Sequence, residues 1–76
     1  MEDQILDGIK YPILTSMSEQ QIRVLARRSD EFTPEMAHIQ QTSVRHFDEG
    51  KIVCVPQGPF YMVMTVEQKK VWDTLD

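Results

Sequence analysis

The sequence predicts a small α+β domain: three helices, a two-stranded β-hairpin and a closing C-terminal helix, spanning residues 1–76 as one domain. Three observations predict it. The stretch HFDEGKIVCVPQGPFYMVMT sets two β-branched and aromatic runs around a Pro/Gly turn, which reads as a hairpin. Upstream, Ser18 with Gln21 three residues later, and Thr33 followed by Pro34, are helix-start signals. Downstream, Thr65 with Gln68 repeats the capping pattern.

Taken in order, EDQILDG (2–8) reads as a short first helix, with acid in its first turn and Gly8 to close it. IKYPIL follows as an extended piece, which Pro12 confines to an edge strand or a loop. MSEQQIRVLARRS is the second helix: Ser18 caps it, Met17 and Ile22 form a hydrophobic staple, and Ile22, Leu25 and Ala26 face inward. After the turn SDEF, the third helix runs from Pro34 to Glu49, with Gly50 as its C-cap. At about 100° per residue Met36, Ala37, Ile39, Val44 and Phe47 share its inner arc, while His38, Gln41, Thr42, Arg45 and Glu49 fall mainly on the other side. KIVCVP and FYMVMT are the strands, and the prolines of PQGP limit their pairing. VEQKKVWDTLD is the last helix, with Val71, Trp72 and Leu75 on its apolar side.

A chain of 76 residues buries too little surface for comfort, so a disulfide, a metal or a partner chain is expected to help. Cys54 is the single cysteine, which excludes an internal disulfide; with only His38 and His46 beside it, no zinc pattern can be written and no metal or cofactor is expected. A partner remains, as another protein or a second copy. The free thiol and the absence of a signal-peptide pattern point to the cytoplasm, and no apolar run has the roughly 20 residues of a membrane span. A net charge of −4 weighs against broad phosphate binding.

The order of elements, carried by SEQQIRVLARRSDEFTPEMAHIQQTSVRHFDEGKIV, the hairpin and MTVEQKKVW, resembles the winged helix-turn-helix family, with the hairpin as wing. The first helix is shorter than such domains carry. The resemblance implies that the third helix is a recognition helix, with His38, Gln41, Thr42 and Arg45 toward a major groove, where Arg and Gln read base edges and Thr reaches base or phosphate. Arg23, Arg27 and Arg28 form the concentrated basic patch, suited to phosphate or to a carboxylate-rich protein surface. Each set also has a plain reading as the solvated side of an amphipathic helix. Asp30, Glu31 and Glu35 crowd the third helix's start, and the wing tip PQGP has no Lys or Arg. These features place DNA binding second.

Catalysis ranks last. Cys54 with His46 and Asp48 has the residue types of a nucleophile and its base, but a cysteine inside IVCV reads as a buried, inert thiol. No glycine-rich phosphate loop is present, and no small-molecule substrate is evident. The apolar surplus of the hairpin is more informative. Phe60, Met62 and Met64 point one way and Tyr61 and Val63 the other, so one face packs on helices and the other needs a cover. The last helix covers part of it. Phe60, Tyr61, Met62, Val71, Trp72 and Leu75 are therefore the expected protein interface, in a non-enzymatic interaction module that acts as a regulator or inhibitor such as bacteriophages encode. The alternative is a small dimeric winged-helix DNA-binding regulator.

Overall fold

In the computed structural model, which describes residues 2–75, the chain forms two antiparallel sheets and three α-helices. The N-terminus corrects the sequence reading. Residues 2–8 are not a helix: β1 (Gln4–Leu6) turns directly into β2 (Ile9–Tyr11), with Leu6 opposite Ile9. Asp7 and Gly8, at φ of 50° and 83°, supply the two successive left-handed residues of a tight two-residue hairpin. Asp-Gly is the strongest short hairpin signal, and seven residues are too few for a self-supporting helix.

Beyond Pro12, β3 (Ile13–Thr15) joins the later hairpin. Then come α1 (Glu19–Ala26), a single 3-10 turn (Ser29–Glu31), α2 (Pro34–Asp48), β4 (Ile52–Gln57), β5 (Phe60–Thr65) and α3 (Val66–Thr74). Both capping boxes form as expected: Ser18 and Gln21 open α1, and Thr65 and Gln68 open α3. Thr33 caps α2 with Pro34 at its first turn. The last residue of the predicted closing helix, Asp76, lies outside the described residues.

The three-stranded sheet runs β3–β5–β4, so β5 is central and the extended piece is an edge strand. Pairing continues past Pro56 to Gln57 opposite Phe60, and only Gly58 and Pro59 form the loop. Pro56 is tolerated because β4 is also an edge strand. In a two-residue hairpin the pair next to the closing one is not hydrogen-bonded, so its nitrogen faces outward.

Residues paired across a sheet share a face. One face carries Ile13, Val63 and Cys54 side by side and meets the helices. Val63 belongs to the core with Ile9, Tyr11, Ile22 and Ile52, and Leu6, Ile13, Met17, Val44, Phe47 and Cys54 pack around them. The opposite face carries Leu14, Met62 and Val55 in one row, Val53 and Met64 in the next, and Phe60 beyond. The helix α3 follows β5 without a loop and packs on β4 and β5. Met64 is fully buried yet stands outside the helix-side core.

Candidate functional site

Two features carry the chemistry. One is a buried polar chain at α2. The other is the outer face of the sheet.

The polar chain starts at the Asp7-Gly8 turn. Asp7 Oδ2 accepts from His46 Nε2 at 2.6 Å and from Arg45 Nη2 at 2.7 Å. A carboxylate only accepts, so the Nε2–H tautomer of His46 is the one held here. Its Nδ1 then accepts from the Tyr11 hydroxyl at 2.9 Å, and Ser43 Oγ lies 3.4 Å from that hydroxyl. Tyr11 and His46 are fully buried, with their rings edge to face at 5.8 Å. The hydrogen bond from His46, and after it that from Arg45, holds the Asp7 carboxyl below its ordinary value, while burial pushes the Tyr11 hydroxyl up.

This arrangement fastens the N-terminal hairpin to α2. A second clamp fastens it to α3. The Gln68 amide, also buried, donates through Nε2 to the Tyr11 carbonyl at 2.8 Å and to the Glu2 carbonyl at 3.2 Å. Its Oε1 accepts from the Thr65 backbone N–H at 2.9 Å, and the Thr65 hydroxyl in turn donates to Gln4.

These contacts account for a departure on α2. The buried residues of that helix are Thr42, Ser43 and His46, whereas Met36 and Ile39 of the predicted apolar arc are exposed. The hairpin docks along the Ser43–His46 side, so the covered arc is turned away from the apolar stripe at the helix start. Thr42, expected to face a DNA groove, is buried instead. His38, Gln41 and Arg45 are exposed, but Arg45 is engaged by Asp7 and lies 3.8 Å from Glu49.

The basic patch is likewise largely neutralised from within. Arg23 pairs with Glu19 at 3.0 Å and Asp48 at 2.9 Å and lies over the Phe47 ring. Arg28 pairs with Glu31 at 2.9 Å. Among the described residues, Arg27 alone of the three has no acidic partner.

His46 does not serve Cys54 as a base, because both its ring nitrogens are engaged by Asp7 and Tyr11. Burial also pushes the Cys54 thiol up, away from the reactive thiolate. Nor do Asp7, His46 and Ser43 make an acyl-transfer relay, since Tyr11 stands between His46 and a buried Ser43. Among the described residues no three His, Cys, Asp or Glu side chains gather to hold a metal ion, and no helix is long and apolar enough to cross a membrane. A shallow groove between β1 and the start of α3 sets Lys51 and Lys70 beside Glu67, Ile5 and Leu6, without a convergent set of polar groups.

The expected interface residues are divided by the sheet. Phe60 and Met62 lie on the outer face, and Tyr61, opposite Thr15 and Pro56, lies on the helix side at the hairpin end. Trp72 of α3 is half-buried, while Val71 and Leu75 are exposed, Leu75 at 71%. The outer face gains a member that the sequence reading had not placed there: Leu14, 61% exposed, beside Met62. With Val55 on the other side of Met62 and Phe60 at 45% exposure, it makes a continuous apolar surface. The missing link was the pairing of β3 with β5.

The chain matches no known protein family, no curated protein and no solved structure.

The clamp has a pH signature. The folded-state Asp7 carboxyl sits below its unfolded value, so its contribution to stability is present above the ordinary carboxylate range and is lost as pH falls through the lowered value. Asp7→Asn is expected to flatten the acid limb of the stability profile, read from thermal melts by circular dichroism across the acidic range. An acid limb as steep as that of the parent protein would show that the Asp7–His46 contact contributes nothing.

Proposed function

We propose that this chain is a non-enzymatic protein-interaction module, a regulator or inhibitor of winged-helix type, that binds through the outer face of its β-hairpin sheet and α3. The observation that supports this most is the apolar surface of Leu14 and Phe60, both exposed, with the half-buried Met62 and Val55 beside them. Exposed apolar patches of contiguous large side chains mark interaction sites in soluble domains. Met and aromatic residues are enriched at interface cores. The winged-helix part of the reading rests on element order: a strand, two helices and a hairpin whose second strand pairs with that first strand.

Its test is a pair of truncations compared with a control on α2. Phe60→Ala and Trp72→Ala are each expected to weaken association by about 2 kcal/mol or more, as buried aromatic anchors do. Gln41→Ala, on the exposed side of α2, should leave it unchanged. Circular dichroism on each variant separates lost binding from lost fold. Full association by both folded aromatic variants contradicts the reading.

DNA binding by α2 is the second reading. The helix pair followed by a hairpin favours it. The internal pairing of Arg23, Arg28 and Arg45 and the burial of Thr42 weigh against it. Tight retardation of a duplex at physiological salt, abolished by Gln41→Ala, would reverse the ranking.

A further inference from the structure

From Ile52 to Val66 the chain has no Asp, Glu, Lys, Arg or His, in a sequence of which 26% is charged. That run supplies β4, the loop and β5, and with Leu14 it builds the whole apolar surface. The absence of charge bears on what covers it. In a two-fold symmetric contact the same patch meets itself, so any residue near the axis meets its own copy. A formal charge there would face a like charge. A partner of different sequence imposes no such condition, and a chain of net charge −4 meeting a different protein gains from complementary charge.

We infer that the outer face around Met62 is the contact between two copies of this chain, related by a two-fold axis that passes near that residue. Met62 is the centre of the patch, flanked by Leu14 and Val55 and followed on the same face by Phe60. The contact is face to face and does not continue the sheet from edge to edge. On one edge β3 has three residues. On the other, Pro56 of β4 turns toward the open side a nitrogen that has no hydrogen to donate. A second copy also supplies the buried apolar area that so small a domain lacks.

The inference rests on the reading of this face as a protein-binding surface and names its occupant. The experiment uses two variants of opposite charge, Met62→Lys and Met62→Glu, in sedimentation equilibrium. The parent protein is expected to pass with concentration from 8.9 kDa toward twice that mass. Each variant alone should self-associate at least about tenfold more weakly, through like-charge repulsion at the axis. An equimolar mixture should regain the double mass, because Lys then faces Glu. Recovery in the mixture also shows that both variants are folded; should either unfold on its own, Phe60→Lys and Phe60→Glu at the more exposed neighbouring position replace them. A parent protein that stays at the single mass overturns the inference, as do folded variants that dimerise like the parent or a mixture that fails to recover. The broader interaction reading fails by a different result, full association of folded Phe60→Ala and Trp72→Ala with whatever the parent protein binds.

Discussion

His46→Ala is expected to remove about 3–5 kcal/mol of folding stability, the range of large-to-small changes at fully buried aromatic positions. Two losses combine. The ring is wholly buried against Tyr11, so its deletion leaves a cavity. It also takes away the acceptor of the Tyr11 hydroxyl and one of the two donors to Asp7, leaving that buried hydroxyl with Ser43 at 3.4 Å. A domain of this length has total stability on the order of 5–10 kcal/mol, so the substitution should remove roughly a third to all of it and lower the melting temperature sharply. Tyr11→Phe separates the two terms, because it keeps the ring and removes only the hydroxyl, at about 1 kcal/mol. Urea denaturation followed by circular dichroism reads both. Equal losses for the two variants would mean that the hydrogen bond, not the packing, carries the effect.

Gln68→Glu should be comparably severe although it changes almost no volume. The amide nitrogen donates to the carbonyls of Tyr11 and Glu2; a carboxylate there would keep one oxygen on the Thr65 N–H and turn the other, negatively charged, toward those two acceptors. An uncompensated buried charge costs about 3–5 kcal/mol. The deficit is expected to depend on pH. Burial raises the folded-state value of the new carboxyl above its unfolded value, so the folded form binds the extra proton. Below the ordinary glutamate range the protonated group donates to the Tyr11 carbonyl again and the loss shrinks. As pH rises toward neutrality the loss grows to its full size. A deficit of constant size from acidic to neutral pH would show that the side chain relaxes into solvent.

What the sequence made legible is what is local. Ser18 with Gln21, Thr33 with Pro34 and Thr65 with Gln68 set three helix starts within four residues each, and the structure has all three. The β4–β5 hairpin was equally plain in its β-branched runs. Gln68 was visible as a capping residue, but its second role toward Tyr11 and Glu2 spans most of the chain and leaves no local trace. The first helix was misread because acidic residues before an apolar pair suit a helix start, while the Asp7-Gly8 turn signal in the same stretch suits a hairpin. With β1 read as helix and β2 as the start of a separate extended piece, nothing was available to cover the Ser43–His46 side of α2, and the apolar stripe set the expected face. Thr42, Ser43 and His46, spaced three and four apart, do form a polar strip along one helix side. That strip was the available sign of a buried network, and only the docked hairpin gives it a partner. The outer sheet face depended in the same way on a long-range pairing, Leu14 with Met62.

The central proposal is that two copies of this protein meet through the outer sheet face, and not through the exposed side of α2. Backbone amide chemical shifts, followed by NMR as the protein is concentrated from micromolar to millimolar, test it residue by residue. The account predicts concentration-dependent shifts at Leu14, Val55, Phe60 and Met62, with His38 and Gln41 unmoved. Shifts confined to α2, or amides that do not move at any concentration, would contradict it.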